Sequence, residues 1–177
     1  MAIWDIKERN NLVRANQASR GDRGAFGGGH AAPGGTSDTI DFIQISTAGN
    51  AADFGNLSSV DRQNLSAVAS STRGLYFGGG SNNNVENTID YITIASAGNV
   101  ADFGNLGAIR RGGSGVGSET RGISMGGSTP SAFVNIIEFM TIANTGNATD
   151  FGNLGAARNI GASVTSPTRG IRMGGTQ

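Results

Sequence analysis

The sequence predicts an all-β protein built from one structural unit that is repeated along the chain. The phrase Asp-Phe-Gly-Asn-Leu occurs three times, at residues 53–57, 102–106 and 150–154, with spacings of 49 and 48 residues. The apolar residues fall in short runs separated by glycine, asparagine and serine, without a helical period. Repetition at this spacing is typical of architectures in which each unit buries its apolar faces against its neighbours.

The first half of the middle unit predicts two short strands. Residues 65–69 are small and alternating, and they lead into Arg73-Gly74, where glycine is expected to supply the positive φ of a tight hairpin. Residues 75–77 form the second strand. It ends at three glycines, residues 78–80, which leave room for a neighbouring backbone.

The second half of the same unit predicts two further strands. Residues 89–94 are rich in β-branched and aromatic side chains and turn at Ala97-Gly98-Asn99. Residues 100–106 form the fourth strand. The flanking units preserve this order, so that Phe54, Phe103 and Phe151 occupy equivalent positions, and we expect all three to be buried to the same degree.

Four strands in about 48 residues favour the blade of a β-propeller over a β-solenoid, whose coils are nearer ~20 residues. The units span residues 9–61, 62–110 and 111–158, with a partial unit at 159–177. Residues 1–8 are predicted to be a closing strand or an anchor segment, and the only helix candidate is 5–13. The simplest closure is about four short blades, the last shared between the two termini. The alternative is two chains that pair their incomplete blades into a larger ring or a stacked dimer.

The units resemble the Kelch repeat, in which a strand ends in Gly-Gly, an aromatic residue follows in the next strand, and a tryptophan precedes an arginine. Phenylalanine replaces that tryptophan throughout this chain. The matching residues are Gly78, Gly79, Tyr91, Phe103 and Arg110 or Arg111 in the middle unit, and Gly126, Gly127, Phe139, Phe151 and Arg158 in the next. The resemblance implies a Kelch-like β-propeller.

The composition excludes several classes of protein. Thirteen basic residues balance thirteen acidic ones, which argues against nucleic acid or an anionic membrane as a partner. The chain has no cysteine, so we expect neither disulfides nor thiolate metal sites. No apolar run approaches the ~20 residues of a membrane span, and the amino terminus lacks a signal-peptide pattern. These features predict a soluble protein made in a cytoplasm.

No catalytic residue, metal ligand or cofactor site is predicted. His30 is the only histidine and lies in a loop without a cysteine or paired carboxylates nearby in the sequence. There is no nucleophile elbow, and the repeated Asp-Phe-Gly lacks the other kinase motifs. Asp53, Asp102 and Asp150 follow Gly-Asn turns, where a carboxylate commonly accepts backbone N–H bonds; repeated Ca²⁺ ligands are the alternative.

Arginines recur at one hairpin position in successive units, and equivalent positions of a propeller lie in a ring on one face. Either each arginine bonds a neighbouring carboxylate or carbonyl and fixes the spacing of the blades, or the ring binds an anion, a glycan or an acidic partner. The basic, aromatic amino terminus is a second candidate partner-binding region. The candidate residues are Trp4, Lys7, Arg9, Arg14, Arg23, Arg73, Arg121 and Arg169. The loops at 29–38, 80–86 and 128–133 vary between units, which suits recognition.

The wording of the repeat at residues 88–106 resembles repeats of virion structural proteins of tailed bacteriophages, particularly those of cyanobacteria. The resemblance implies a non-enzymatic virion protein, either a capsid decoration protein or a tail- or fibre-associated protein. Its expected partners are other virion proteins, with several copies or a homo-oligomer on each particle. A glycan-binding module of a phage fibre is the alternative, although Phe133 is the only aromatic residue in the variable loops. An enzyme on the same scaffold would need an acid/base or metal set that the sequence lacks.

Overall fold

The structure, a computed structural model, describes residues 22–31, 34–60, 62–81, 84–166 and 168–177. Over these ranges the protein contains fifteen strands and no helix, which confirms the predicted all-β class. None of these residues therefore belongs to a helix long and apolar enough to cross a membrane. The predicted segment 1–8, the helix candidate 5–13 and the residues Trp4, Lys7, Arg9 and Arg14 lie outside the described residues.

The strands follow one another in the order that the repeat predicts. Their bounds are β1 (Arg23–Gly27), β2 (His30–Ala31), β3 (Gly35–Thr36), β4 (Thr39–Gln44), β5 (Ala52–Asn56), β6 (Ser66–Ala69), β7 (Arg73–Phe77), β8 (Thr88–Thr93), β9 (Ala101–Asn105), β10 (Ser114–Gly117), β11 (Arg121–Met125), β12 (Ile136–Thr141), β13 (Thr149–Asn153), β14 (Ala162–Thr165) and β15 (Gly170–Met173).

Thirteen of the fifteen strands form four antiparallel sheets, each of which follows the chain order like a meander, and β2 and β3 form a separate two-stranded sheet. Sheet 1 contains β1, β4 and β5; sheet 2 contains β6 to β9; sheet 3 contains β10 to β13; and sheet 4 contains β14 and β15. The short hairpin of β2 and β3 lies in the loop between β1 and β4. Sheets 2 and 3 are complete four-stranded units. Among the described residues, sheet 1 lacks the counterpart of β6, and sheet 4 lacks the counterparts of β8 and β9.

A β-bulge interrupts the last strand pair of sheets 1, 2 and 3 at the same place. In sheet 2, Ile89 pairs with Gly104 and Asp90 pairs with Asp102, so that Phe103 has no residue opposite it. A bulge of this kind bends the strand and increases its twist. Phe103 packs edge-on against Tyr91, with 6.1 Å between ring centroids.

Successive sheets pack face to face, and their apolar side chains form two clusters. The cluster between sheets 1 and 2 contains Ile40, Phe54, Leu57, Tyr76 and Ile92. The cluster between sheets 2 and 3 contains Val68, Leu75, Phe77, Ile89, Phe103, Leu106, Met140 and Ile142. Sheets 1, 2 and 3 therefore bury apolar side chains against one another in succession, as the repeat predicts.

The first strands of successive units lie side by side and hold sheets 3 and 4 together. Ser163 Oγ donates to Gly115 O at 2.6 Å, and Ser114 Oγ donates to Gly161 O at 2.7 Å. The side chains at this contact are small because the strands approach closely. A Cβ at Gly115 would lie 2.5 Å from Ala67 O, nearer than real Cβ atoms come.

The role predicted for Gly74 is wrong. Its φ is not positive, since the hairpin turns over residues 70–72 and Gly74 already lies within β7. The glycine at this position instead allows close packing of the sheets. In the next two units, a Cβ at Gly122 would lie 2.6 Å from Val68 Cγ2, and one at Gly170 would lie 2.4 Å from Val116 Cγ2.

Equal burial of the three repeated phenylalanines is also wrong. Phe54 is 3% exposed and Phe103 is 2% exposed, whereas Phe151 is 52% exposed. Sheets 2 and 3 cover the first two rings. No β8–β9 counterpart among the described residues follows sheet 3, so the ring of Phe151 remains open to solvent.

Candidate functional site: the junction between successive sheets

In each of the first three sheets, the arginine at the predicted hairpin position makes a cation–π contact. Each guanidinium lies over an aromatic ring on the strand that follows and pairs with the arginine's own strand, within the range of a favourable cation–π interaction. The pairs are Arg23 over Phe42 at 4.8 Å, Arg73 over Tyr91 at 4.6 Å and Arg121 over Phe139 at 4.6 Å.

Two of these arginines also reach the next sheet. Arg23 Nη1 donates to Ile94 O at 2.8 Å, and Arg73 Nη1 donates to Ile142 O at 3.0 Å. Arg121 and Arg169 make no such bond to any described residue. The predicted bond to a neighbouring carbonyl is therefore observed for Arg23 and Arg73, while partner binding by the four arginines stays a prediction.

Two main-chain hydrogen bonds and one bond to an asparagine side chain join the last strand of one sheet to the Gly-Asn turn of the next, and we call this set the clasp. In the clasp of sheets 1 and 2, Gly98 N donates to Phe54 O at 2.6 Å. Asn56 N donates to Asn99 Oδ1 at 3.1 Å, and Val100 N donates to Asn56 O at 3.0 Å. The Gly-Asn turn of one sheet thus docks on the last strand of the sheet before it.

The clasp of sheets 2 and 3 repeats this geometry. Gly146 N donates to Phe103 O at 2.7 Å, Asn105 N donates to Asn147 Oδ1 at 3.0 Å, and Ala148 N donates to Asn105 O at 2.9 Å. Glycine is required beneath the incoming turn. A Cβ at Gly104, whose φ is +147°, would lie 2.5 Å from Gly146 O.

A buried arginine–carboxylate pair accompanies each of the two four-stranded sheets. Arg62 is fully buried and forms an ion pair with Asp90, which is 1% exposed. Arg62 also donates to Gly78 O from Nη2 at 3.0 Å. Ser58 Oγ, from the preceding unit, donates to the same Asp90 oxygen at 2.5 Å.

The corresponding pair of sheet 3 is Arg110 Nη2 and Glu138 Oε2, 2.5 Å apart. Burial lowers the pKa of Arg110 from its ordinary value, and the adjacent Glu138 carboxylate opposes that effect. Gly107 N, from the end of sheet 2, donates to Glu138 Oε1 at 2.8 Å. These pairs therefore connect consecutive units as well as strands of one unit.

The sequence predictions missed Asp90 and Glu138 as functional residues. The available signal was an acidic residue at one fixed place within an otherwise apolar third strand, 28 residues after an arginine. A buried carboxylate of this kind needs a charged partner. The recurring arginine supplies it.

The carboxylates of Asp53, Asp102 and Asp150 are exposed and accept no hydrogen bond from the described residues. The backbone N–H groups of Gly98 and Gly146, in the Gly-Asn turns, donate to the preceding sheet instead. The prediction was that the aspartate carboxylates accept backbone N–H bonds at these turns. Among the described residues, no group of three or more His, Asp or Glu side chains is placed to hold a metal ion.

Isolated bridges hold the variable loops at 80–86 and 128–133. Gly80 pairs with Val85, and Ser128 pairs with both Arg111 and Phe133 through isolated bridges. A polar cavity of about 360 Å³ lies nearby. It is lined by His30, Gln63, Asn64, Arg111, Gly112, Asn159 and Ile160. The cavity therefore lies where His30, of the loop at 29–38, meets the residues that precede β6, β10 and β14.

No protein-family model and no curated protein matches the chain.

Burial of Tyr76 between sheets 1 and 2 predicts a loss of stability at alkaline pH. Burial raises the pKa of its hydroxyl from 10.0 to about 12. The unfolded chain releases this proton near pH 10, so the stabilisation is complete below pH 10 and is lost as the pH rises through 12. It amounts to about 2 to 3 kcal/mol.

An alkaline titration of tyrosine absorbance, alongside chemical unfolding at each pH, measures this effect. The difference between the wild type and Tyr76→Phe isolates the hydroxyl of Tyr76. Ionisation of Tyr76 already at pH 10 in the folded chain would contradict the prediction.

Proposed function

We propose that the sheets are blades of a Kelch-like β-propeller and that the protein is a non-enzymatic structural component of a tailed-phage virion. It acts there as a capsid decoration protein or a tail- or fibre-associated protein that binds other virion proteins. The repeated junction is the observation that carries this proposal. Main-chain clasps and buried ion pairs in successive units make a rigid scaffold that leaves its loops free for contacts.

Three features of the array support the propeller. The complete sheets are four-stranded meanders, they pack face to face, and their first strands lie side by side. These features are shared by propeller blades around a central channel. We assign the polar cavity beside Gln63, Arg111 and Asn159 to such a channel. In this proposal, the ring closes by completing sheets 1 and 4.

The partner-binding surface in this proposal combines the variable loops with the arginine rim. Loops that vary on a constant scaffold are the usual location of recognition residues. Arg121 and Arg169 are exposed and bond no neighbouring sheet among the described residues. Their guanidinium groups suit bidentate contacts to carboxylates of an acidic protein partner.

Immunogold labelling of purified virions tests the proposal. We expect an antibody against the protein to label a fixed position on intact particles, with a constant number of copies by quantitative mass spectrometry. Absence of the protein from purified particles would overturn the virion assignment. Binding to host polysaccharide on a glycan array, without retention on particles, would favour the fibre glycan module instead.

Deletion of residues 1–8 separates the two roles proposed for the amino terminus. If this segment supplies a closing strand, the deletion is expected to lower the melting temperature of the isolated protein. If it is an anchor, the melting temperature stays constant and incorporation into virions fails, since the segment's tryptophan and basic residues would bind an acidic partner. A truncated protein that melts and assembles normally would contradict both roles.

A further inference from the structure

The contact of sheets 1 and 2, which we call the first junction, and that of sheets 2 and 3, the second junction, share one clasp but differ in their packed side chains. The clasp uses equivalent main-chain atoms and an equivalent asparagine amide in both. It therefore joins successive sheets without distinguishing one sheet from another. Two pairs of packed side chains do distinguish the junctions, because the volumes of the two partners change in opposite directions.

The first pair joins the end of one sheet to the buried carboxylate of the next. In the first junction, Ser58 Oγ donates to Asp90 Oδ2 at 2.5 Å. In the second junction, Gly107 stands in the place of Ser58, and Glu138 stands in the place of Asp90. The longer acid reaches the main chain itself, since Gly107 N donates to Glu138 Oε1 at 2.8 Å. The shorter acid thus accompanies a serine, and the longer acid accompanies a glycine.

The second junction requires Gly107 for its small size rather than for its backbone conformation. The φ of this glycine is not positive, but a Cβ built on it would lie 2.5 Å from Glu138 Oε1. The carboxylate of Glu138 has little freedom to move away, because its other oxygen pairs with the buried guanidinium of Arg110. A serine at position 107 is therefore incompatible with a glutamate at position 138.

The second pair lies where β1, β7 and β11 pack on their neighbours. In the first junction, a Cβ built at Gly27 of sheet 1 would lie 3.1 Å from Tyr76 Cε1 of sheet 2, so a larger residue would press against this ring. In the second junction, Phe77 and Ser124 hold the equivalent positions and border the same small buried space. The large partner therefore belongs to the later sheet in the first junction and to the earlier sheet in the second.

Sheets 1 and 3 each keep one of these combinations at both sets of positions. Sheet 1 has Phe26 and Asp41 where sheet 2 has its tyrosine and buried aspartate. Sheet 3 has Met125 and Gly155 where sheet 2 has its buried phenylalanine and Gly107. Among these three sheets, sheet 2 alone carries the first combination on one face and the second combination on the other.

A wrong combination produces either an overlap or an unfilled space. A glutamate at position 90 would extend its carboxylate into the hydroxymethyl group of Ser58. An aspartate at position 138 would leave Gly107 N without its acceptor. A tyrosine at position 124 would meet Phe77, where the first junction has only a glycine. Overlaps and cavities in a packed interface both destabilise it.

We propose that these two pairs specify the order in which the sheets dock. The face of sheet 2 that carries Tyr76 and Asp90 fits sheet 1, and the face of sheet 3 that carries Ser124 and Glu138 fits sheet 2. Units that share one phrase and one clasp are exposed to docking in the wrong order, which is a characteristic failure of repeat proteins. Selection among such similar partners requires features that penalise the wrong one, and the paired volumes supply them.

A double-mutant cycle at the first pair, measured by chemical denaturation of the full chain, tests the proposal. Asp90→Glu is expected to raise the unfolding equilibrium constant about tenfold, because the longer carboxylate overlaps Ser58. Ser58→Gly is expected to raise it about fivefold, the value of one hydrogen bond. The double variant recreates the combination of the second junction, so it should be more stable than Asp90→Glu alone.

The second junction supplies the reciprocal cycle and the control. Gly107→Ser should destabilise the protein, and Glu138→Asp should recover stability when it is added to Gly107→Ser. The control combines Ser58→Gly with Glu138→Asp. These two residues belong to different junctions, so their effects should add.

The second pair is tested by rescue. Gly27→Phe is expected to abolish cooperative unfolding, because the new ring occupies the place of the Tyr76 ring. Gly27→Phe combined with Tyr76→Ser recreates the large and small partners of the second junction. The combined variant should unfold cooperatively.

Hydrogen exchange separates a fault at one junction from a general loss of stability. Asp90→Glu should accelerate exchange of the Gly98 amide, in the clasp of the first junction, more than that of the Gly146 amide, in the clasp of the second. Glu138→Asp should have the opposite preference.

Any of three results would overturn the proposal: additive effects within both cycles, failure of Tyr76→Ser to rescue Gly27→Phe, or equal acceleration of the Gly98 and Gly146 amides in both single variants. All of these measurements use the isolated protein, so their outcome does not depend on whether the protein belongs to a virion.

Discussion

Replacement of Phe103 by alanine is expected to lower the free energy of unfolding by about 3 to 5 kcal/mol. The ring is 2% exposed and packs within the cluster between sheets 2 and 3, against Tyr91 of its own sheet. Its removal leaves a cavity at a junction where the clasp restricts how far the two sheets can approach each other. Chemical denaturation of the isolated protein measures the loss.

Phe151→Ala is the matched control for Phe103→Ala. Phe151 occupies the same bulge in sheet 3 and contacts its own aromatic partner Phe139, with 6.2 Å between ring centroids. Because the ring is 52% exposed, the same truncation should cost under about 1.5 kcal/mol in the monomer. Equal losses at the two positions would show that the ring of Phe151 is covered in solution.

Replacement of Asp90 by alanine is expected to destabilise the protein by about 3 to 5 kcal/mol, because it leaves the guanidinium of Arg62 buried without its charged partner. Ser58 Oγ loses its acceptor in the same variant, so the link between units 1 and 2 is broken as well. Differential scanning calorimetry should show a large fall in melting temperature.

Asp102→Ala is the control for the Asp90 variant. Asp102 lies directly opposite Asp90 on the neighbouring strand, but its side chain is exposed. Its replacement should change the free energy of unfolding by no more than about 0.5 kcal/mol. If Asp90→Ala lowered the free energy of unfolding as little as Asp102→Ala, the buried ion pair would not be what holds Arg62 in place.

The order of the strands could be predicted from the sequence because their signals are local. β8 (Thr88–Thr93) was predicted within one residue at each end from its β-branched run. The close approach allowed by the glycine doublet was also predictable, and a Cβ at Gly78 would indeed lie 2.4 Å from Arg110 O. Both features depend on residue types at adjacent positions.

The contacts between units could not be predicted in the same way because they depend on which sheet lies next to which. In the sequence, Gly98 and Asn99 have the pattern of an ordinary turn. The clasp is seen only in the structure, where this turn bonds to Phe54 and Asn56 of the preceding sheet. The equivalence of Phe54, Phe103 and Phe151 in sequence hides a large difference in burial. The three units have similar sequences, but only sheets 1 and 2 have a described four-stranded sheet packed against them on the side of this phenylalanine.

The clasp has a consequence for how proteins of this kind change length in evolution. Its bonds join main-chain atoms and one asparagine amide, and they demand little of the remaining side chains beyond the glycine beneath the turn. An in-frame duplication of one whole unit by recombination would therefore insert a sheet that finds native contacts on both faces. Gene length can grow or shrink in whole-unit steps without the invention of a new interface, so selection can adjust the size of the array while its local chemistry stays constant.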